Sequence, residues 1–160
     1  VLRILWPWSL LRKSMLFADL PVNDRRALEI EIPAGNGVGT ARAIARAYSA
    51  FAEGGAELGI TPATLASLTA VHDVEHPKDE VMGVPSSMSL GFLRPGPQVG
   101  FGSSQRAFGT PGAGGSFGFA DPDARLGFAY VMNNMYYMFD DPREKALRDA
   151  VHRSIRTLSG

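Results

Sequence analysis

No cysteine occurs in the chain, so disulfides, thiolate metal sites and a catalytic thiol are all excluded. Neither sign of charge is in surplus: 16 basic residues meet 16 acidic ones. Without a basic excess there is no electrostatic footprint for nucleic acid or an anionic membrane, and without an acidic tail there is none for a basic partner. Long hydrophobic runs are missing too. The apolar start is broken by Pro7, and Arg12 and Lys13 follow before the roughly 20 apolar residues that a spanning helix needs. A signal peptide or membrane anchor is therefore not expected. The compartment stays unknown, because lack of cysteine does not fix it, with a soluble, cytoplasmic chain favoured. The first residue is Val1 and not Met, which suggests an alternative start codon, a processed chain or a fragment.

What is present is ordinary for a globular protein. The 160 residues are 45% hydrophobic and 20% charged, enough for one domain with a real core. Trp8, Leu11, Met15 and Leu16 are spaced like one helical face, which predicts a short helix within 8–17. Pro21 and Pro33 bracket an irregular stretch. Gly35–Gly39 is a loop and Thr40 a good N-cap; Ile44, Ala45, Tyr48, Phe51 and Ala52 then form an apolar stripe that Gly54 and Gly55 end. Thr61 and Pro62 open a second helix with Leu65 and Leu68 facing inward. Residues 71–87 read as loop, Met88–Leu93 as a short strand, and 94–104 as loop again. Arg106–Gly109 reads as a strand end. Ser116–Ala120 and Leu126–Asn133 form an antiparallel hairpin around the turn Asp121–Arg125. Asp141-Pro-Arg-Glu144 is a capping box with proline at the first helical position, and Leu147, Val151, Ile155 and Leu158 continue as a helical stripe.

Three short motifs carry chemistry elsewhere. His72-Asp-Val-Glu-His76 fits H-x-x-E-H, whose metal chemistry needs both imidazoles on one helical face. Pro77 and charged flanks put it in a loop, so no metal site is expected. Gly35, Gly37 and Gly39 precede a helix N-terminus, where phosphate can bind. The third glycine of a dinucleotide fingerprint would fall at Thr40 or Arg42, and no Walker lysine follows, so a tight turn is expected and no cofactor. Gly114-Gly-Ser-Phe-Gly118 fits the G-x-S-x-G nucleophile elbow, with Asp140 or Asp141 and His152 in Ser–Asp–His order. An elbow joins a strand to a helix, whereas Ser116 is followed by a strand and a hairpin. His152 is expected on the solvent face of the terminal helix.

The run from Phe108 to Met135, Phe-Gly-Thr-Pro-Gly-Ala-Gly-Gly-Ser-Phe-Gly-Phe-Ala-Asp-Pro onward, resembles the K-T-G strand region of the beta-lactamase-like serine hydrolases, in their class C, esterase and penicillin-binding-protein-like branch. Ile32–Tyr48 resembles the family segment that leads into a helix of the helical region, and the likeness extends over roughly residues 15–158. It implies an α+β fold: a partial beta-lactamase-like fold of antiparallel sheet strands with flanking helices and part of a helical region. It implies one partial domain over 1–160, helical and loop over 1–95, last strands and C-terminal helix over 96–160. It also implies acyl transfer on an ester, amide or lactam. In the family a serine in S-x-x-K attacks the carbonyl, a tyrosine in Y-x-N helps move the proton, and the K-T-G edge binds the substrate carboxylate and donates an oxyanion N–H.

The chain departs from that pattern. It contains no S-x-x-K and no Y-x-N; the nearest approach is Ser9-Leu-Leu-Arg12, and arginine cannot shed a proton near neutral pH. Thr110, Pro111 and Gly112 stand at the K-T-G position, and the backbone N–H of Ala113 matches the oxyanion donor. By the resemblance, 126–133 is central in the parent sheet and pairs with its first strand. The expectations are a C-terminal portion of a serine hydrolase that is inactive alone, pairing with an N-terminal chain or with itself through 126–133; alternatively a degenerate, non-catalytic binding module; and third, a small α/β-hydrolase using Ser116. None of these readings calls for nucleic acid or membrane.

Overall fold

The structure is a computed structural model that describes residues 24–31, 37–71, 78–79, 85, 87–96, 99–102, 104–136 and 141–158. The helix expected within 8–17, Ser9 and Arg12, and His72–His76 all lie outside the described residues. The chain divides into two compact units, Val1–Gly39 with Lys78–Val84, and Thr40–Pro77 with Pro85–Gly160. The first carries α1 (Arg25–Leu28), a single turn inside the stretch expected to be irregular. Asp24 makes the difference: its carboxylate accepts from the Arg26 N–H at 2.8 Å and caps the turn.

All further elements belong to the second unit. Helix α2 (Ala41–Ala52) starts where expected, with the Thr40 hydroxyl accepting from the Ala43 N–H at 3.2 Å. It ends because Gly54 and Gly55 take φ of 98° and 81°, turning the chain so that the Gly55 N–H reaches the Ala50 carbonyl. Helix α3 (Pro62–Thr69) is capped by Thr61 and begins with its proline.

Three antiparallel strands follow, β1 (Phe108–Pro111), β2 (Phe117–Asp121) and β3 (Leu126–Tyr130), in the order β1-β2-β3. Compared with expectation, β1 starts later and runs through Pro111, Asp121 belongs to β2, and β3 stops at Tyr130. Met88–Leu93 is a turn and not a strand: Met88 bridges Leu93, Gly91 sits at φ 93°, and the Ser89 N–H and hydroxyl both donate to the Phe92 carbonyl. Leu93 then bridges Gly109 on the outer side of β1.

Strand alternation sorts the side chains onto two faces. Gly118 and Ala120 of β2 and Gly127 of β3 face α2, and their small size lets the helix lie directly on the sheet. A Cβ on Gly127 would overlap the backbone of Ala45 and Ser49. Tyr48, Phe51, Leu65 and Phe92 close this face around Ala52, Phe108 and Ala120. The other face is aromatic. Phe117 and Phe119 of β2 pair in register with Tyr130 and Phe128 of β3, and Phe101 packs over them.

Helix α4 (Pro142–Leu158) carries the expected apolar stripe only half-buried, at Val151 and Ile155. Its buried residues are Glu144 and His152, while Leu147 and Leu158 are 52% and 87% exposed. His152, expected on the solvent side, stacks on the Phe119 ring at 6.0 Å. No helix among the described residues is long and apolar enough to cross a membrane.

Candidate active-site edge

Thr110, Pro111 and Gly112, expected at the K-T-G position, lie together at the end of β1. Thr110 pairs with Gly118 and Pro111 with Phe117. Proline is tolerated here because β1 is an outer strand of the sheet. After Pro111 the chain enters a 3-10 turn, Ala113–Gly115. Two bonds close it: the Gly112 N–H donates to the Ser116 carbonyl at 2.7 Å, and the Gly115 N–H to the Gly112 carbonyl at 3.2 Å. Gly114, at φ 83°, is pressed against Met132 and Met135, and the Tyr136 N–H donates to its carbonyl at 2.7 Å. Both Gly112 and Ala113 are exposed. The Ala113 N–H finds no backbone carbonyl among the described residues. A polar N–H on a fixed, exposed turn is what a developing oxyanion requires.

The turn is anchored from behind by the start of α4. Asp141, 3% exposed, caps the helix by accepting from the Arg143 N–H at 2.9 Å, and the Arg143 guanidinium grips the same carboxylate at 2.7 and 2.9 Å. These hydrogen bonds from Arg143 hold the Asp141 carboxyl below its usual pKa. Arg143 also donates to the Asn134 carbonyl at 3.0 Å, tying the segment after β3 to the helix. A Cβ on Gly115 would sit 2.7 Å from the Asp141 carboxylate, so the turn and the cap fit only with glycine there. The enclosed gap between Ser116, Asp141 and Glu144 holds about 10 Å³, room for at most one water, so a substrate would have to lie over the exposed edge.

Tyr48 is the residue sequence reasoning missed at this edge. It reads there only as one member of the α2 stripe. In the fold its ring rests on Gly118, the register partner of Thr110, and its hydroxyl meets the Thr110 side chain. Burial pushes the Tyr48 phenol up, so near neutral pH it is an uncharged hydrogen-bonding group.

The other motifs do not assemble here. Ser116 leads into β2, so it sits on a strand-to-strand turn and not on a strand-to-helix elbow. His152 lies beside Asp121, which is five residues along β2 from Ser116, about 16 Å by strand rise. Asp140 is outside the described residues, and Gly37–Gly39 form an exposed segment before α2. Among the described residues no group of three or more His, Cys, Asp or Glu could hold a metal ion.

Known proteins match this arrangement. A family model described as Beta-lactamase matches residues 8–153. The protein named Esterase/beta-lactamase LipL from Mycobacterium tuberculosis is 39% identical over 111 residues, covering 68% of this chain and 25% of its own length. A solved family VIII carboxylesterase superposes with a TM-score of 0.73 at 42% identity, over 82% of this chain and 36% of that one. A penicillin-binding protein homolog from Caulobacter crescentus gives a TM-score of 0.70 at 36% identity, again over 82% of this chain and 36% of its own. The chain thus spans a quarter to about a third of the length of these relatives. With the family model covering most of its length and the α+β architecture in agreement, the chain belongs to the beta-lactamase family of serine hydrolases and esterases.

Proposed function

We propose that this chain supplies the substrate edge and one oxyanion donor of a beta-lactamase-type serine hydrolase, and that it turns over no substrate by itself. The observation that carries the reading is the exposed Gly112–Ala113 turn, braced by Ser116, Tyr136 and the α4 cap, with the Ala113 N–H directed to no backbone partner among the described residues. Such a donor stabilises charge on a carbonyl oxygen once a nucleophile attacks. The attacking group is the missing part, since the sequence holds neither S-x-x-K nor Y-x-N. Acyl transfer on an ester, amide or lactam then needs a serine and a base from a second chain or chain portion. The outer edge of β3 is the docking point we assign to it. Leu126–Tyr130 carries no charge and no proline, the devices that normally blunt an edge. A strand added there would extend the sheet by main-chain hydrogen bonds.

The test is hydrolysis of nitrocefin and short p-nitrophenyl esters by the chain alone. Rates at background are expected. Saturable turnover that Ser116→Ala abolishes would overturn the reading in favour of a hydrolase built on Ser116.

A further inference from the structure

An open cleft of about 210 Å³ lies beside α4, lined by Gly102, Arg148, Asp149, His152, Arg153 and Arg156. It is removed from the oxyanion edge, because His152 stands against Asp121 at the opposite end of β2 from Ser116. Two of its charges are already matched. Arg148 donates to Glu144 at 2.8 Å and to the Gly100 carbonyl, and lies over the Phe117 ring; Asp149 takes Lys145 at 2.5 Å. Arg153 and Arg156 are exposed, and among the described residues neither guanidinium has a carboxylate within ion-pair distance. The cleft therefore holds two cations outside any ion pair of the described fold.

Its floor is the unusual part. His152 is only 7% exposed, and its Nε2 is buried with no hydrogen-bond partner. Asp121 is fully buried; its Oδ1 accepts from the Asp123 and Ala124 N–H groups, and its Oδ2 is likewise unpartnered. Both atoms converge on Gly102. A Cβ there would lie 2.7 Å from Nε2 and 2.8 Å from Oδ2. Buried polar atoms left unpaired are rare and costly. The imidazole lines the cleft beneath the arginines with hydrogen-bonding capacity at Nε2 that the described fold does not use. Arginines late in a helix also complement its dipole, but that role requires no buried imidazole beneath them.

We propose that this cleft is a second binding site, for a small phosphate-class oxyanion held by Arg153 and Arg156 over the buried His152 imidazole. A tetrahedral dianion matches two guanidinium forks, and the volume accommodates phosphate with a small substituent. Asp149 is the one carboxylate lining the cleft; it pairs with Lys145 and also feels the charges of Arg148 and Arg153. The site is independent of the oxyanion edge, so either reading can fail without the other.

The experiment is calorimetric titration of the full 160-residue chain with sodium phosphate, then with glycerol 3-phosphate, each against chloride at equal ionic strength. Saturable binding is expected for phosphate, weakened about tenfold or more when Arg153→Gln and Arg156→Gln are combined. Gly102→Ala, which crowds the imidazole, is expected to weaken it as well. Tighter binding of glycerol 3-phosphate than of phosphate would identify a monoester ligand, and the reverse the free ion. Heats no greater than those of chloride, or equal binding by the double-glutamine variant, would overturn the site.

Discussion

Gly118→Ala tests the contact that joins α2 to the oxyanion edge. A Cβ at Gly118 would stand 2.6 Å from Tyr48 Cε2 and 3.1 Å from Ile44 Cγ2. Carbon atoms pack at about 3.5–4.0 Å, so the tyrosine ring must retreat by about 1 Å. It has little room. Phe51 and Phe92 lie 6.4 and 6.3 Å from its centroid, and Phe92 itself meets Phe108 edge-on at 5.1 Å. Overpacking of this kind costs about 1–3 kcal/mol, or roughly 3–10 °C of Tm for a chain this long. The retreat also draws the Tyr48 hydroxyl away from Thr110. Thermal unfolding followed by near-ultraviolet circular dichroism measures both effects. A double-mutant cycle isolates the cause: in a Tyr48→Ala background most of the penalty should vanish. If Gly118→Ala melts within about 1 °C of the parent, well short of that range, or if its full penalty persists without Tyr48, the ring is not what Gly118 accommodates.

Other perturbations reach other parts of the same fold. Asp141 has a lowered carboxyl pKa because Arg143 hydrogen-bonds it, so its contribution to stability is complete above the ordinary aspartate range near pH 4 and is lost as pH falls through the depressed value. Asp141→Asn, which keeps a capping side chain but not the charge, should flatten the acid limb of a Tm-against-pH curve; an unchanged limb would contradict this assignment. Glu144 and Arg148 form a nearly buried pair, with side chains 4% and 11% exposed, so Glu144→Ala should cost about 3–5 kcal/mol in urea unfolding by stranding a guanidinium. Glu144→Leu with Arg148→Met should recover most of that loss, and a double variant as unstable as the single would count against a stranded charge. The outer edge of β3, unpaired among the described residues, predicts self-association of the isolated chain at about tens of micromolar. Val131→Lys, at a 45% exposed position just past the strand, should shift sedimentation toward monomer, whereas a wild-type monomer with slow amide exchange along 126–130 would refute the docking edge.

What was legible in the sequence is local chemistry. Thr40, Thr61 and Asp141 are read as caps because each acts on an N–H two or three residues away, and the structure keeps all three. The hairpin was legible for the same reason, since alternation and the turn at Pro122–Arg125 are encoded in one short run. The limits of its strands were less so. Met132 and Asn133 continue the apolar pattern, yet the Tyr136–Gly114 bond pulls the chain off the sheet after Tyr130, and that bond spans 22 residues. Met88–Leu93 misleads because loose alternation is compatible with a strand until Gly91 adopts a φ of 93°. The candidate edge was found through resemblance to a family, and its Tyr48 was not, because a tyrosine in an apolar stripe looks the same whether it fills a core or turns its hydroxyl to a strand end.

The inverted packing of α4 has a different cause. Periodicity favours an inner face of Leu147, Val151, Ile155 and Leu158, since burial of apolar area is the main driving force of folding, yet only Val151 and Ile155 are half-buried. The helix instead buries Glu144, Arg148 and His152, which also recur at intervals of four and so share one face. Each is compensated from a remote part of the chain or from its own neighbour. Arg148 lies over Phe117 and reaches the Gly100 carbonyl, Glu144 takes Arg148, and His152 stacks on Phe119. Those partners sit in β2 and in the segment before β1, so no window of sequence around α4 contains them. Hydrophobic periodicity finds faces that gain by leaving water, whatever they meet. A polar face is buried only where a particular ring and a particular carbonyl wait for it, which makes the placement of α4 specific to this sheet. It also leaves the apolar side of the helix, Leu147 and Leu158, at the surface of the described fold.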